Sequence, residues 1–480
     1  ARRLSAAYSN PVRGLISERG CQVTLAERIQ EKILLFDGAM GTMLQTAIPP
    51  GSPPELLNIK ERDLIKGIHV QYLQAGCDII ETNTFGGSRI KLSAYGLGDL
   101  VQRINEEGAA LAREVAQDKY VAGAIGPTGK FLEPWGELSF FEARDIFAEQ
   151  AAALAAGGAD CIIIETMTDL QEARAALLGA REATSLPIIA QMSFTPTGRT
   201  MGGTDPATAG WVLARMGAWA VGSNCGVGAE QMVGFIGQMA DVPAYLSALP
   251  NAGMPRMEGG TTIYPETPEE MAGYVEDFLD LGINLLGSCC GSNPDHTRAL
   301  KLALGDRRPV ERRPRGGLVL TGMRSHAILA EELPVAVSEL DGSLDRVDWQ
   351  QLGEAMARTG HLALWDLRGN KGEWEGLIHA IDAFQMAGGS KLAVAASTPA
   401  YLAGALARYG GLALACWSKE WDGNPEDFLV QARRFGAGVL LPGGAGLERR
   451  VESCKQAGFA RGDLAVLVRE PVGLVYPLGA

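Results

Sequence analysis

Residues 160–165 read Asp-Cys-Ile-Ile-Ile-Glu, an apolar run of strand length that ends in a carboxylate. Alanine-rich segments of ordinary helix length flank it at Ser139–Ala156 and Leu170–Glu182, and the first opens with a Ser139-x-x-Glu142 capping box. A strand that is apolar on both faces is typical of a parallel sheet covered by helices on both sides. The stretch therefore predicts one unit of a repeating βα fold.

The same unit recurs between Ile33 and Leu304. Each copy has a short apolar run, a turn rich in Gly, Asn or Pro, and a segment with helical spacing. Eight such units in about 270 residues predict a closed (β/α)8 TIM barrel. The strand candidates are Ile33–Asp37, Asp78–Thr82, Tyr120–Gly126, Asp160–Glu165, Pro187–Phe194, Ala218–Asn224, Pro243–Ala248 and Gly282–Ser288.

The pattern breaks at residues 306–317, where arginine and proline predict a linker, and then resumes. Six strands cannot close an eight-stranded barrel, so residues 318–480 are predicted to form a second, incomplete or degenerate α/β barrel-like domain with an open edge. Residues 24–305 form the predicted first barrel, and residues 1–23 an N-terminal extension. The six candidates are Leu318–Thr321, His361–Asp366, Lys391–Ala395, Leu412–Trp417, Ala437–Leu441 and Leu464–Val468.

Composition excludes several classes of function. The net charge of −13 would repel nucleic acid and anionic membranes, so neither is an expected partner. No apolar run reaches the length of a membrane span, and the N-terminal segment lacks the apolar core of a secretion signal, which indicates a cytoplasmic protein. Eight cysteines in 480 residues are too few for a disulfide framework.

Three of the cysteines occupy positions where a barrel carries its functional groups, just after the C-terminal ends of strands. Cys225 follows the sixth predicted strand, and Cys289 and Cys290 follow the eighth. Adjacent side chains in a strand point to opposite faces, so Cys289 and Cys290 can share one ion only if the backbone bends. The flanking Gly287 and Gly291 allow such a bend.

Three thiolates would satisfy three of the four tetrahedral positions of zinc and leave one open, which is typical of catalytic sites. The open position predicts an incoming ligand, and a thiol that binds there loses its proton. The site suits attack by the bound substrate thiolate on a methyl group, with no separate protein nucleophile. The alternative for any single cysteine is a small buried hydrophobic residue.

These features resemble the zinc-dependent homocysteine S-methyltransferases, and most of all the N-terminal module of cobalamin-dependent methionine synthases. The resemblance implies that Cys225, Cys289 and Cys290 ligate zinc, with homocysteine sulfur in the fourth position. It further implies that Asp37, the backbone at Gly38 and Glu165 bind the amino acid end of homocysteine. Asn83 is a further candidate for substrate contact, and a turn-stabilising role is equally open for it. The resemblance covers residues from about Leu25 to Leu304 and rests on Leu35–Thr42, Ile80–Gly86, Gly123–Thr128, Ile164–Thr166, Pro250–Gly253 and the two cysteine motifs.

Residues 318–480 resemble the first part of a pterin-binding, methyltetrahydrofolate domain. The family motif Gly-Glu-Arg-Thr-Asn is replaced by residues 322–326, Gly-Met-Arg-Ser-His. The later Asp and Asn positions correspond to Ala395 or Ala396 and to Ala415 or Cys416, which cannot form the same hydrogen bonds. We therefore expect a degenerate scaffold with doubtful binding of methyltetrahydrofolate.

The expected methyl donor is methylcobalamin, which a corrinoid protein or a portion outside this chain would supply. Two alternatives stay open. One is a homocysteine methyltransferase that uses S-methylmethionine or another sulfonium donor. The other is a noncatalytic, zinc-containing subunit of a corrinoid methyltransferase complex.

Overall fold

A computed structural model describes residues 23–45, 47–48, 51–258, 261–315, 317–324, 326–328, 335–341, 348–366, 374–417, 424–468 and 474–477. The predicted N-terminal extension therefore lies outside the described residues, except for Val23. The chain divides into two compact units. The first comprises the described residues up to Met201 together with Ala218–Pro314, and the second comprises Gly202–Gly217 and the described residues from Arg315 onward.

The first unit is a (β/α)8 barrel, as predicted. The strands are β1 Leu34–Leu35, β2 Ile79–Glu81, β3 Tyr120–Ile125, β4 Cys161–Met167, β5 Ile188–Met192, β6 Ala220–Asn224, β7 Tyr245–Leu249, β8 Arg256–Glu258, β9 Thr261–Ile263 and β10 Leu285–Leu286. Eight of them are parallel and follow the order β1-β10-β7-β6-β5-β4-β3-β2, and a parallel bridge between Phe36 and Ile79 closes the ring. The short antiparallel pair β8 and β9 was not expected from the sequence.

Helices surround these strands, and half of the α-helices begin after a Ser, Thr, Asp or Asn that caps the first turn. The predicted capping box of Ser139 and Glu142 is present. The α-helices are Leu25–Glu31, Met40–Leu44, Leu57–Lys60, Arg62–Ala75, Arg89–Ser93, Val101–Ala116, Phe140–Ala156, Leu170–Ala183, Ala229–Gln238, Pro268–Ala272, Val275–Asp280 and Pro294–Leu304, and the 3-10 helices are Pro54–Leu56 and Gly98–Leu100. No helix among the described residues of the chain is both long and apolar enough to cross a bilayer.

Strand alternation divides the core of the first unit into two layers. Ile79 and Ile163 belong to the cluster inside the barrel, whereas Ile80 packs among the helices outside it. Because successive side chains alternate, the next inward positions are Glu81 on β2 and Glu165 on β4. The fold thus directs carboxyl groups to the C-terminal mouth of the barrel, where such barrels carry their active sites.

The second unit contains a closed barrel of seven strands, so the expected open edge was wrong. Six strands are parallel, and the last strand (β19, Leu474–Pro477) pairs antiparallel with both β18 (Leu464–Val468) and β13 (Val335–Asp341). Only residues 469–473 separate β18 from β19, too few for a parallel crossover, so the chain must return antiparallel. The unit is nevertheless an incomplete version of the (β/α)8 plan, as predicted.

One predicted strand lies outside this second barrel. Val319–Thr321 pairs with His326–Ile328 in a separate two-stranded sheet, and Val335–Asp341 takes the barrel position instead. The strands are β11 Val319–Thr321, β12 His326–Ile328, β13 Val335–Asp341, β14 Leu362–Asp366, β15 Leu392–Ala395, β16 Leu414–Cys416, β17 Gly438–Pro442, β18 Leu464–Val468 and β19 Leu474–Pro477. The helices are Pro206–Arg215, Trp349–Arg358, Trp374–Met386, Pro399–Arg408, Pro425–Arg434, Leu447–Gln456 and the 3-10 helix Arg461–Asp463.

The first barrel closes at the seam between β1 and β2. Here backbone amides donate to carboxylate side chains in place of some of the backbone carbonyls of the neighbouring strand. Asp78 Oδ2 accepts from the Leu35 amide at 3.2 Å, while Asp78 Oδ1 pairs with Lys32 Nζ at 2.6 Å. At the other end of this seam, Asp37 Oδ2 accepts from the Glu81 amide at 3.0 Å. The ring therefore depends on two buried acidic side chains at its closure.

Asp78→Ala should lower the free energy of unfolding by roughly 1–3 kcal/mol, because it removes the acceptor of the buried Leu35 amide and the ion-pair partner of Lys32. The measurement is the urea unfolding midpoint of the full chain. Asp63→Ala is the control, since that side chain is 97% exposed and its ion pair with Lys66 lies on a helix surface. Its midpoint should not move. Equal shifts for the two variants would contradict the role given to the seam.

Candidate metal centre

Cys225 follows β6 in a left-handed backbone conformation. Its φ is +56°, and Gly226 beyond it has a φ of +76°. Two hydrogen bonds fix the turn, from the Cys225 amide to Leu249 O at 3.1 Å and from the Val227 amide to Cys225 O at 2.9 Å. A non-glycine residue with this φ is strained, and such strain is concentrated at functional sites.

Cys289 and Cys290 lie in a turn after β10, which ends at Leu286. The Cys289 amide donates to Pro250 O at 2.7 Å, and Gly291 adopts a φ of +82°. A Cβ at residue 291 would come within 2.2 Å of the Tyr264 Cβ. The backbone thus leaves the strand before the two cysteines, and both thiols can face one point.

Gly287 serves a different purpose from the one expected. Its φ is not left-handed, but a Cβ there would lie 2.6 Å from the Phe36 Cβ. Glycine at this position permits the close approach of two strand ends.

The structure brings the three thiols together. The Sγ atoms of Cys225, Cys289 and Cys290 all lie within 4.8 Å of one another, and those of Cys225 and Cys290 are 3.8 Å apart. Sulfur atoms about 2.3 Å from a tetrahedral zinc ion would be separated by about 3.8 Å. Among the residues that the structure describes, this is the one group of three or more His, Cys, Asp or Glu side chains with metal-site spacing.

The charge balance of the cluster also fits a cation. Hydrogen bonds from Cys289 and Cys290 lower the pKa of Cys225 to about 3, and the same contact with Cys225 raises the pKa of Cys290 to about 11. Ionisation of one of these thiols thus opposes ionisation of the others through like charge. A divalent ion would remove that resistance.

Asn251 supplies a further observation in favour of a metal. Its side chain hydrogen-bonds to Cys225 and lowers the pKa of that thiol, while its Oδ1 is buried without a hydrogen-bond partner among the described residues. An amide oxygen without a donor beside three thiols suits the neighbourhood of a cation. The residues present thus fit zinc.

Three buried carboxyl groups with raised pKa values lie at the mouth of the barrel beside the sulfur cluster. Burial first, and then the charge of Glu165, raises the pKa of Asp37, and both effects raise that of Glu81. Burial and the charge of Cys225 raise the pKa of Glu165 to about 8, although a hydrogen bond from Asn224 opposes this. No described lysine or arginine forms an ion pair with any of these three carboxyl groups. The pocket is thus suited to bind a ligand cation.

Gly38 lies at the edge of this pocket. A Cβ at residue 38 would approach Ser292 Oγ to 2.6 Å and Tyr72 Cε1 to 3.0 Å. Ser292 itself accepts from the Ala39 amide at 3.1 Å and donates to Cys289 O at 2.7 Å. The loop that follows β1 is therefore tied to the loop that carries the cysteine pair.

Asn83 is engaged in structural hydrogen bonds. Its Nδ2 donates to Pro54 O at 2.9 Å and to Asn58 Oδ1 at 3.0 Å, while Asn58 Nδ2 donates to Asn83 O at 2.8 Å. These bonds hold the turn after β2 against the 3-10 helix Pro54–Leu56 and the helix Leu57–Lys60. A role for Asn83 in substrate binding stays a prediction.

Sequence reasoning missed Glu81 and Asn224. The inward alternation of Ile79 and Glu81 on β2 could have identified the first. Asn224 precedes Cys225 in the same motif, but its contacts with β4 depend on tertiary structure. It is fully buried and hydrogen-bonds to both Glu165 and Thr166.

Comparison with known proteins finds relatives of this chain. Two relatives are the methionine synthases of Mycobacterium leprae (strain TN) and Mycobacterium tuberculosis (strain ATCC 25618 / H37Rv). The first is 32% identical over 303 residues, covering 58% of this chain and 25% of that protein. The second is 32% identical over 311 residues, covering 60% of this chain and 26% of that protein. The matched region thus spans about a quarter of these relatives.

A similar fold occurs in the metallated form of the homocysteine methyltransferase MmuM from Escherichia coli. The TM-score is 0.50 at 21% identity, over 58% of this chain and 98% of that chain. At this identity the likeness concerns the fold alone. A profile of the homocysteine S-methyltransferases matches residues 34–304, which is more than half of the 480 residues. The chain belongs to the homocysteine S-methyltransferase family.

Proposed function

We propose that this chain transfers a methyl group to the thiol of homocysteine and forms methionine, with zinc held by Cys225, Cys289 and Cys290. The observation that carries the proposal is the approach of three Sγ atoms to within 4.8 Å at a barrel mouth lined by carboxyl groups. Bound zinc would supply the positive charge that keeps a substrate thiol ionised at neutral pH. Three protein thiolates leave one tetrahedral position for that substrate sulfur.

The protein's own residues bind and orient the substrate. Asp37 and Glu165 are buried carboxyl groups that would pair with its ammonium group, and the backbone at Gly38 would contact the amino acid end. Fixing that end aligns the sulfur with the incoming methyl carbon. The new S–C bond forms as the bond from the methyl carbon to the donor breaks, and the donor keeps that electron pair. No separate protein nucleophile is required.

A corrinoid protein carrying methylcobalamin is the proposed donor, supplied in trans or by a further part of a longer protein. The similarity to methionine synthases supports this choice. Exposed apolar side chains on the loops after β2, β3, β5 and β7 also support a large partner at the barrel mouth, and we call them the apolar collar. They are Phe85, Phe131, Trp135, Met201, Met254, Met257 and Ile263.

The second unit is proposed to be a degenerate scaffold that docks the corrinoid protein and does not bind methyltetrahydrofolate. Ala395, Ala396 and Ala415 are buried and offer no side-chain hydrogen bonds at the positions where pterin partners were expected. We also propose a cytoplasmic location, because the seven described cysteines are unpaired and a thiolate site needs a reducing environment.

The zinc site leads to the first functional prediction. The purified chain should bind one zinc ion through three sulfurs, and homocysteine should add a fourth. Zinc-edge X-ray absorption counts these ligands. Cys225→Ser, Cys289→Ser and Cys290→Ser should each weaken zinc binding by more than the roughly 10- to 100-fold that loss of a second-sphere contact costs. Cys77→Ala, at a buried cysteine of the same unit, is the control and should keep the zinc. If the number of sulfur ligands on zinc stays the same when homocysteine is added, the alternative of a noncatalytic, zinc-containing subunit would be favoured.

Donor identity can be tested by methionine formation. We expect product from zinc-loaded chain, homocysteine and methylcobalamin, and none from methyltetrahydrofolate alone. Titration should likewise detect no tight binding of methyltetrahydrofolate to the second unit. Turnover with S-methylmethionine but not methylcobalamin would contradict the corrinoid proposal and establish the sulfonium alternative.

The apolar collar should affect the donor and not homocysteine. Trp135→Ala and Phe131→Ala remove side chains that are 60% and 62% exposed, so the fold should tolerate them. We expect KM for a methylcobalamin-loaded corrinoid protein to rise about tenfold, as at an interface hot spot, with the Kd of homocysteine unchanged. Leu302→Ala, 77% exposed on the helix Pro294–Leu304, is the matched control. Equal KM values for all three variants would refute docking at this surface.

A further inference from the structure

Asn224 connects three parts of the barrel mouth. Its Oδ1 accepts from the Thr166 amide at 2.6 Å, and its Nδ2 lies 2.8 Å from Thr166 Oγ1 and 3.1 Å from Glu165 Oε2. The same Nδ2 is 3.8 Å from Cys289 Sγ, within reach of a weak N–H···S hydrogen bond. One fully buried side chain thus touches the carboxyl pocket and the sulfur cluster.

The backbone around Asn224 is strained on both sides of these contacts. Thr166 and Cys225 have φ values of +58° and +56°, and they are two of the three non-glycine residues with positive φ in the described ranges. The register of β4 against β5 shifts between Ile164 and Met167, which is a bulge. Bulges of this kind re-aim side chains next to active sites. The Asn224 Oδ1 bond to the Thr166 amide therefore holds the conformation that directs Glu165.

The amide nitrogen of Asn224 has more acceptors than hydrogens. Its two hydrogens face Thr166 Oγ1, Glu165 Oε2 and Cys289 Sγ. A substrate ammonium group that pairs with Glu165 takes over part of the donation to that carboxylate. An Asn224 hydrogen then becomes available to the Cys289 sulfur. Occupation of the carboxyl pocket and the charge on the sulfur cluster are thereby linked through a single donor.

We propose that Asn224 is a positioning residue that couples recognition of the substrate ammonium group at Glu165 to the sulfur cluster at Cys289. The inference rests on the proposed function. It adds a positioning residue and a preference among thiol ligands. Asn224 makes thiols that carry an α-amino group better ligands than thiols that lack one. It acts through Glu165 and Cys289 and does not touch the methyl group.

Equilibrium binding to the zinc-loaded, 480-residue chain tests the coupling without any methyl donor. Calorimetry compares L-homocysteine with its desamino analogue, 4-mercaptobutanoate. Asn224→Ala should raise the Kd of homocysteine roughly 10- to 100-fold, as expected for a lost hydrogen bond to a charged group. It should raise the Kd of the analogue less than about threefold. In this background Glu165→Gln should add little, whereas in the wild type it should weaken homocysteine binding.

Asn224→Asp tests the N–H donor of Asn224 separately from its oxygen acceptor. It keeps an oxygen for the Thr166 amide but replaces the N–H donor with a charge that repels Glu165. This variant should fold, retain its zinc and lose homocysteine affinity at least as strongly as Asn224→Ala. Gln191→Ala is the matched control, because Gln191 is a fully buried amide on β5 that donates to Ser247 Oγ at 2.7 Å. Both Kd values should stay at the wild-type level in this control.

Several results would overturn the inference. Equal losses for the two thiols in Asn224→Ala, additive effects with Glu165→Gln, or loss of zinc or of folding in Asn224→Asp would make Asn224 a structural residue. The same holds if Gln191→Ala reproduces the effects of Asn224→Ala. A wild-type chain that binds neither thiol would overturn the proposed function, and this inference with it.

Discussion

The closing seam of the first barrel places one carboxylate in two roles. Asp37 accepts a hydrogen bond from the Glu81 amide, and so replaces a ladder bond where β1 meets β2. The same side chain lies in the pocket of buried carboxyl groups beside the sulfur cluster. The ring cannot close in this way without burying acidic groups in its mouth, and burial raises the pKa of Asp37, Glu81 and Glu165. A positively charged ligand group would favour their ionised form.

Positive charge from a ligand resolves this constraint in two places. A divalent ion suits the three sulfurs, because without it the ionised Cys225 raises the pKa of Cys290 and so opposes its ionisation. An ammonium group suits the carboxyl pocket, since no described lysine or arginine forms an ion pair there. The polar barrel mouth therefore costs stability when empty and regains it with the ion and the amino acid bound. A substrate with both a thiol and an ammonium group meets both demands at once.

Strand and cysteine positions of the first barrel could be predicted from the sequence because both depend on local patterns. The run at Cys161–Ile164 is apolar on both faces, and Cys225, Cys289 and Cys290 follow strand ends. Family resemblance, and not spacing, indicated Asp37 and Glu165. Glu81 was missed although strand alternation points it inward. The lesson is that a polar residue at the last inward position of a barrel strand merits the same weight as a cysteine.

The second barrel was harder to predict because its closure depends on a non-local pairing. Val335–Asp341 ends in Ser-Glu-Leu-Asp, which is a weak strand pattern, and the closing strand at Leu474–Pro477 contains a proline. The first strand gains its ladder bonds from β14 and β19, the closing strand gains its bonds from β13 and β18, and no local pattern records that gain. Strand counts from local pattern thus underestimate barrels that close with an antiparallel strand.

Asn224 shows the same limit within the first barrel. Its identity is plain in the sequence, but its function depends on a bulge in β4, 58 residues away from it along the chain. Two left-handed residues, Thr166 and Cys225, are stable only because neighbouring strands fix them. An Asn side chain accepts from the Thr166 amide through its oxygen and donates to Glu165 through its nitrogen, whereas an ionised carboxylate can only accept. An amide at residue 224 therefore holds the strained backbone at Thr166 and directs Glu165 with the same side chain.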